Sequence, residues 1–285
     1  MQPGICAKRA GIFDRQFRGS RELFCSVTMT TEVPTKRRIA AAFSAKAKGY
    51  RTGAFIQRQI LTMLVPHVEF VGRFRAPWLD AGCGAGGLCD LLKDGNIPVH
   101  LMQTDLGRGT LRSGPRCPAV QSDIEALPFA SRAFGGVVAS SVLHWLADPA
   151  KGLAEIQRVL VPGGALVFSM FTKGSFGEVL SLRLERNRSV PVILPSAGEF
   201  EALLQTCGFR IPRLSTFSKE YYFASALDVL KYMSGTGTTA VSGRLFSPRE
   251  ILELCRSYED RYGCSRGVTL SVKTILGTAL KANEI

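Results

Sequence analysis

Three aspartates and one glycine-rich turn carry the most chemistry in this 285-residue chain. The turn lies in Trp78-Leu79-Asp80-Ala81-Gly82-Cys83-Gly84-Ala85-Gly86-Gly87. Apolar residues precede it, and Leu88, Leu91 and Leu92 follow at helical spacing. A short strand therefore enters the turn and a helix leaves it. Gly82, Gly84 and Gly86 let the backbone approach a ligand with no Cβ in between. Asp80 ends the strand before the glycines, Asp105 ends the apolar run from His100, and Asp123 follows a third apolar stretch. A lone aspartate at a strand end usually caps a turn. Three in this order around one glycine turn point to a ligand rich in hydrogen-bond donors.

The donors can be specified. Asp80 suits an ammonium group, Asp105 can grip both hydroxyls of a ribose, and Asp123 can accept from an adenine amine while Ile124 packs its ring. Leu106, next to Asp105, and Ser140, at the end of the fourth strand, complete the cofactor-facing set. Amino acid, ribose and adenine together are S-adenosylmethionine. A carboxylate at position 80 would repel a pyrophosphate. Yet the glycines also satisfy G-x-G-x-x-G, with the third at Gly87, which leaves a nicotinamide-dependent dehydrogenase open.

These residues need a scaffold. Short strands near 77–80, 99–104, 135–140 and 164–171 alternate with helices, the rhythm of a mostly parallel sheet. The clearest helix runs from Pro149 to Leu160, with Asp148 as N-cap and Pro149 at N1. Pro162-Gly163-Gly164 reads as the turn into the next strand. Before the sheet, Ile39, Ala42, Phe43, Ala47 and Tyr50 recur at helical spacing. A second helix follows from Phe55, with Pro66 placed to end it. After Phe171 comes a basic stretch, a helix over 197–207, a strand over 213–223, a helical stretch over 225–262 and a last strand over 268–280. The fold expected is α/β: a doubly wound, Rossmann-like sheet, mostly parallel with an antiparallel last strand, plus N-terminal helices and a helical lid. The domain spans 35–285, with N-terminal helices at 35–70, a cofactor-binding core at 75–171, and lid and acceptor insertions at 172–196 and 225–265.

Composition narrows the class. No apolar run reaches membrane-spanning length, so no membrane association is expected. The eight cysteines make no C-x-x-C pair and only three histidines occur. No metal site is expected, and the thiols read as reduced and the protein as cytoplasmic. A formal charge of +13 attracts anionic partners of any kind, or simply keeps the chain in solution. Residues 1–34 lack periodicity and read as a disordered extension. Met29 could be the natural start, or the Arg-rich leader could be an organellar transit peptide.

The motifs resemble those of class I methyltransferases: Asp80-Ala-Gly-Cys-Gly-Ala-Gly86, Asp123-Ile-Glu-Ala-Leu-Pro-Phe129 and Val159-Leu-Val-Pro-Gly-Gly164. Beyond that core, Arg38 to Gln59, Leu143-His144-Trp145, Gly174-Ser-Phe176 to Pro195, Leu227–Gly237 and Leu270–Gly277 resemble the malonyl-[acyl-carrier protein] O-methyltransferases of biotin synthesis. The chain departs from that family in having Ala139-Ser140 for Ser-Asn, Gly235-Thr-Gly-Thr238 with no histidine, and Gly135 where an acid is common. The resemblance implies methyl transfer from S-adenosylmethionine to the carboxylate of a malonyl group on acyl-carrier protein, with no nucleic-acid partner. It implies that Tyr50 closes over the cofactor and hydrogen-bonds the malonyl group, although Tyr50 also fits an ordinary core position. His144 could face the pocket or simply pack. Acyl-carrier proteins are acidic, and Arg183, Arg186, Arg188 and Arg244 of the lid are the expected docking charges. A methyltransferase for another small molecule or RNA, and a non-enzymatic assembly factor on the same fold, remain open alternatives.

Overall fold

Helix formation begins where the sequence supplies a cap. A computed structural model describes residues 35–71, 77–97, 100–113, 117–186, 193–236 and 246–283, so the extension over 1–34 lies outside the described residues. Thr35 accepts from Arg38 N at 3.3 Å and opens α1 (Lys36–Gly53). Helix α2 (Phe55–Val71) follows. Pro66 does not end it. Proline removes one backbone donor, but Val68 and Val71 beyond it are buried against the core, and that burial carries the helix through.

The alternating rhythm builds β1 (Trp78–Ala81), α3 (Gly87–Asp94), β2 (Leu101–Asp105), α4 (Arg108–Ser113), β3 (Ala119–Gln121), β4 (Phe134–Ser140), α5 (Pro149–Val159) and β5 (Leu160–Phe171). Strands β3, β2, β1, β4 and β5 lie side by side in parallel. Both faces of β1 and most of β4 are buried, as the near-continuous apolar runs of parallel strands require. The chain passes from β3 at the edge back to β4 beside β1, so the sheet reverses its winding between β1 and β4. Ligands of open α/β sheets bind at the carboxyl ends of strands at such a point.

Helix α5 has the expected start: Asp148 accepts from Lys151 N at 3.0 Å and Pro149 stands at N1. Pro162-Gly163-Gly164, however, makes no separate turn. Strand β5 begins at Leu160 opposite Phe134 and resumes with Ala165 opposite Gly136, so the three residues form a bulge inside the strand.

Then come α6 (Gly177–Glu185), α7 (Ala197–Thr206), β6 (Phe209–Phe223), α8 (Ala226–Gly235), α9 (Pro248–Tyr262), β7 (Gly263–Cys264) and β8 (Gly267–Lys281). β6 starts four residues earlier than its sequence predicts, with a register shift between Arg210 and Arg213 where Pro212 cannot donate. The helical stretch over 225–262 is two helices. β8 lies antiparallel between β5 and β6 and pairs with both. Helices α6, α8 and α9 pack on the outer parts of β6 and β8, around Val179, Leu182, Val229, Leu254 and Leu270.

One expectation about whole-chain chemistry changes. Cys89 of α3 and Cys117 are joined as a disulfide, with Cα atoms 6.7 Å apart. The reading of all thiols as reduced is therefore corrected: folding of α3 onto the strand edge joins residues whose spacing gives no pairing signal. Among the described residues no helix is long and apolar enough to cross a membrane, and no group of histidine, cysteine and acidic side chains is arranged to hold a metal ion.

Candidate active site

At the carboxyl ends of β1, β2 and β4 two cavities adjoin. The first encloses about 820 Å³ and is lined by Gly82, Gly84, Asp105, Asp123, Ile124 and Ser140, among others. Gly82 has φ +77°, and a Cβ there would stand 2.5 Å from Val142 Cγ2. Only glycine therefore lets the β1 turn close against the segment after β4. Asp105 is fixed by three donors. Gly107 N and Thr110 Oγ1 reach its Oδ1 at 2.7 Å each, and Gly84 N reaches Oδ2 at 2.9 Å. Burial raises its carboxyl above the ordinary range, while these donors pull it back. Leu106 lines the same cavity.

Asp123 and Ile124 lie across from the glycines. Asp123 accepts from Glu125 N at 2.9 Å and from Lys36 Nζ at 2.5 Å, and the same ammonium meets Glu125 Oε2 at 2.7 Å. Lys36 opens α1. Residues seven apart on a helix share one slowly drifting stripe, and Lys36, Phe43 and Tyr50 all line this cavity. Phe43 stands edge-on to Trp145 with ring centroids 5.4 Å apart.

Asp80 and Gly86 do not line the cavity. Asp80 is buried beneath it, accepts from Gln103 Nε2 at 3.0 Å, and has its carboxyl pushed up to about 7, chiefly by burial. Gly86, with φ +80°, caps α3. Ser140 faces Ser169, with oxygens 3.2 Å apart.

The second cavity, about 620 Å³, is largely apolar, with Phe171, Phe176, Leu194 and Met233 in its wall. His144 lines it, and burial alone lowers its imidazole to about 3, so the ring is neutral at physiological pH. Its Nδ1 and the Ser141 hydroxyl are buried with no hydrogen-bond partner. Ser141 also holds φ +53°, rare for a non-glycine residue, pinned by its N–H donating to Ser169 O at 2.9 Å. Phe43, Tyr50, Ser141 and Trp145 line both cavities. Burial raises the Tyr50 phenol, and Asp105 adds to the effect, so Tyr50 keeps its proton.

Of the four expected docking arginines, the two among the described residues are not exposed. Arg183 is only 4% exposed and lines the second cavity. Arg186 is half-buried and donates to Leu182 O at 3.1 Å and Ser257 Oγ at 2.7 Å. Arg186 bonds across to α9, and Arg183 lies beside Phe246, just ahead of that helix. Arg188 and Arg244 lie outside the described residues.

The first cavity fits S-adenosylmethionine. Three acids line it, and Lys36, the only cation among its described lining residues, is bound to two of them. Such a wall accepts ammonium, hydroxyl and amine donors and opposes the pyrophosphate of a dinucleotide. A protein-family model described as a methyltransferase domain matches residues 79–168. A malonyl-[acyl-carrier protein] O-methyltransferase of Erwinia pyrifoliae is 30% identical over 238 residues, covering 80% of this chain and 88% of the relative. The chain belongs to the malonyl-[acyl-carrier protein] O-methyltransferase family. The protein of that name from Haemophilus ducreyi is 28% identical over 260 residues, 87% of this chain and 98% of the relative. The YcgJ protein of Bacillus subtilis shares the fold, with TM-score 0.55 and 18% identity over 78% of this chain and 98% of that one. This member of the family thus has a class I methyltransferase sheet with its antiparallel strand in β8.

Sequence reasoning missed Lys36 and Ser141, and it placed Arg183 on a docking surface rather than in the wall of the second cavity. Lys36 could have been found from its seven-residue spacing to Phe43 and Tyr50. Ser141 gives no signal, since nothing in its residue type announces a left-handed backbone.

Proposed function

We propose that this chain transfers a methyl group from S-adenosylmethionine to the free carboxylate of malonyl-acyl-carrier protein, giving the malonyl methyl ester that primes biotin synthesis. The observation that carries the reading is the junction of the two cavities at Phe43, Tyr50, Ser141 and Trp145. A donor site walled by acids meets an acceptor chamber that is largely apolar.

S-adenosylmethionine supplies an electrophilic methyl on a sulfonium. The malonyl carboxylate is already ionised at neutral pH, so the chain needs no general base. A neutral His144 and a protonated Tyr50 agree with that. Asp105 holds the ribose, Asp123 and Ile124 hold the adenine, and Asp80 acts from below the glycine turn on the amino-acid end. Ser140 completes the floor. Tyr50 donates its hydroxyl to the malonyl group at the junction. Phe43 and Trp145 exclude water, which strengthens every charge interaction inside. The acyl-carrier protein is the partner, α6, α8 and α9 belong to the lid, and the cytoplasm is the place of action.

The test is transfer of labelled methyl to malonyl-carrier protein, with free malonate and tRNA as competing acceptors. A base-labile methyl ester on the carrier protein is expected. Label on tRNA, or equal turnover of free malonate, overturns the acceptor.

A further inference from the structure

Arg183 is the one charged side chain among the described residues that line the acceptor chamber. We infer that its guanidinium receives the free carboxylate of the acceptor, and so selects a malonyl group over uncharged acyl groups. This rests on the proposed acceptor being correct.

The local geometry is built for it. Val179 and Leu180 stand one helical turn before Arg183 on α6, and all three line the chamber. At 4% exposure the guanidinium has lost most of its hydration, which is a cost of burying any cation. Two features of the site reduce that cost: the last turn of α6 favours a cation, and the Phe246 ring lies 5.2 Å from Arg183 Cζ. Most of the rest of the chamber's lining is apolar. A carboxylate entering an apolar chamber without a counter-charge faces a heavy desolvation penalty. A planar guanidinium removes that penalty with a matched fork of donors.

A second observation points to the same ligand. Ser141 Oγ and His144 Nδ1 are buried without a partner and line the same chamber. Buried polar atoms are nearly always satisfied, and the thioester carbonyl next to the malonyl carboxylate offers an acceptor within the same small group. Ser141 also stands at the junction with the donor cavity, which places the polar end of the acceptor near the reacting methyl.

The contact changes sign of usefulness during the reaction. One carboxylate oxygen forms its bond to the methyl carbon as the sulfur–methyl bond breaks, and that electron pair stays on sulfur. Sulfonium and carboxylate become thioether and ester, and no proton moves. The ester carries no charge, so the arginine that held the substrate no longer holds the product.

The experiment compares binding of malonyl-pantetheine and its neutral amide isostere, malonamyl-pantetheine, to the full chain saturated with S-adenosylhomocysteine. The parent is expected to prefer the malonyl compound by about 30-fold. Arg183→Met should bring the two within about threefold, Arg183→Lys should fall between, and S-adenosylhomocysteine affinity should hold in both. Preference undiminished in Arg183→Met overturns the assignment. If that variant fails to fold, equal binding of the two compounds by the parent, or full preference in Arg183→Gln, overturns it instead. Failure of the parent to methylate malonyl-carrier protein overturns the proposed acceptor, and the arginine assignment falls with it. Methylation with no malonyl preference overturns the arginine assignment alone.

Discussion

Asp80 is 3% exposed and meets one amide, Gln103. Its carboxyl rises from an ordinary 3.8 to about 7, which sets two opposed pH dependences. In the ligand-free protein the neutral form is the one the fold favours. That contribution to stability is complete below about pH 4 and is lost as pH rises through about 7. The ionised form is the one that favours a bound ammonium, so affinity for S-adenosylmethionine should rise over the same interval. Asp80→Asn keeps the acceptor for Gln103 and removes the charge. The ligand-free variant is expected to gain about 1–3 kcal/mol over the parent at pH 8, read by denaturant melts. Calorimetry should find its S-adenosylmethionine affinity reduced and flat between pH 6 and 8. A parent affinity that does not change with pH would sink the role given to Asp80. The three aspartates were legible in the sequence because type and order suffice to mark a carboxylate at a strand end. That Asp80 lies beneath the cavity, and that Arg183 turns inward from α6, depended on depth of burial, which neighbours in space determine.

Helix α1 is tied to the donor cavity by one cation. Lys36 bridges Asp123 and Glu125 at 2.5 and 2.7 Å, while Phe43 meets Trp145 further along the same stripe. Half-exposed ion pairs are individually weak, but this one holds the helix whose Tyr50 reaches the junction. Lys36→Met should lower S-adenosylmethionine affinity about three- to tenfold, and the parent's affinity should drop toward the variant's as salt is added. An affinity unchanged in the variant would detach α1 from cofactor binding. The helix itself was legible from its apolar spacing, as were α5 and its Asp148-Pro149 start. Boundaries failed where tertiary burial overrode a local rule. Val68 and Val71 carried α2 past Pro66, and pairing with β4 drew Pro162-Gly163-Gly164 into β5 as a bulge.

At the scale of the molecule, if the proposed acceptor holds, a formal charge of +13 attracts an acidic carrier protein before any contact forms. Such steering raises association rates and fades with ionic strength. The kcat/KM for malonyl-carrier protein should fall severalfold between about 50 and 200 mM salt, while that for malonyl-pantetheine stays nearly level. Parallel salt curves for the two acceptors would remove steering from the account.

The antiparallel strand has a consequence for how the chain is made. β8 is the last strand in sequence, yet it lies inside the sheet. It completes β5, and it supplies the long pairing of β6 from Phe209 to Phe223. Until residues 267–281 leave the ribosome, the open edge of β5 faces the cell unpaired. At roughly 5–20 residues per second, the hundred-odd residues between β5 and the end of β8 take on the order of 5–20 s. Through that interval the nascent chain offers an unpaired strand edge and an apolar face, the features that invite misassembly. A chain cut after Tyr262 should stay protease-sensitive and aggregate, and a separately supplied peptide spanning 263–283 should restore resistance. Native-like protease resistance in the truncated chain without that peptide would show that the sheet closes before its innermost late strand arrives.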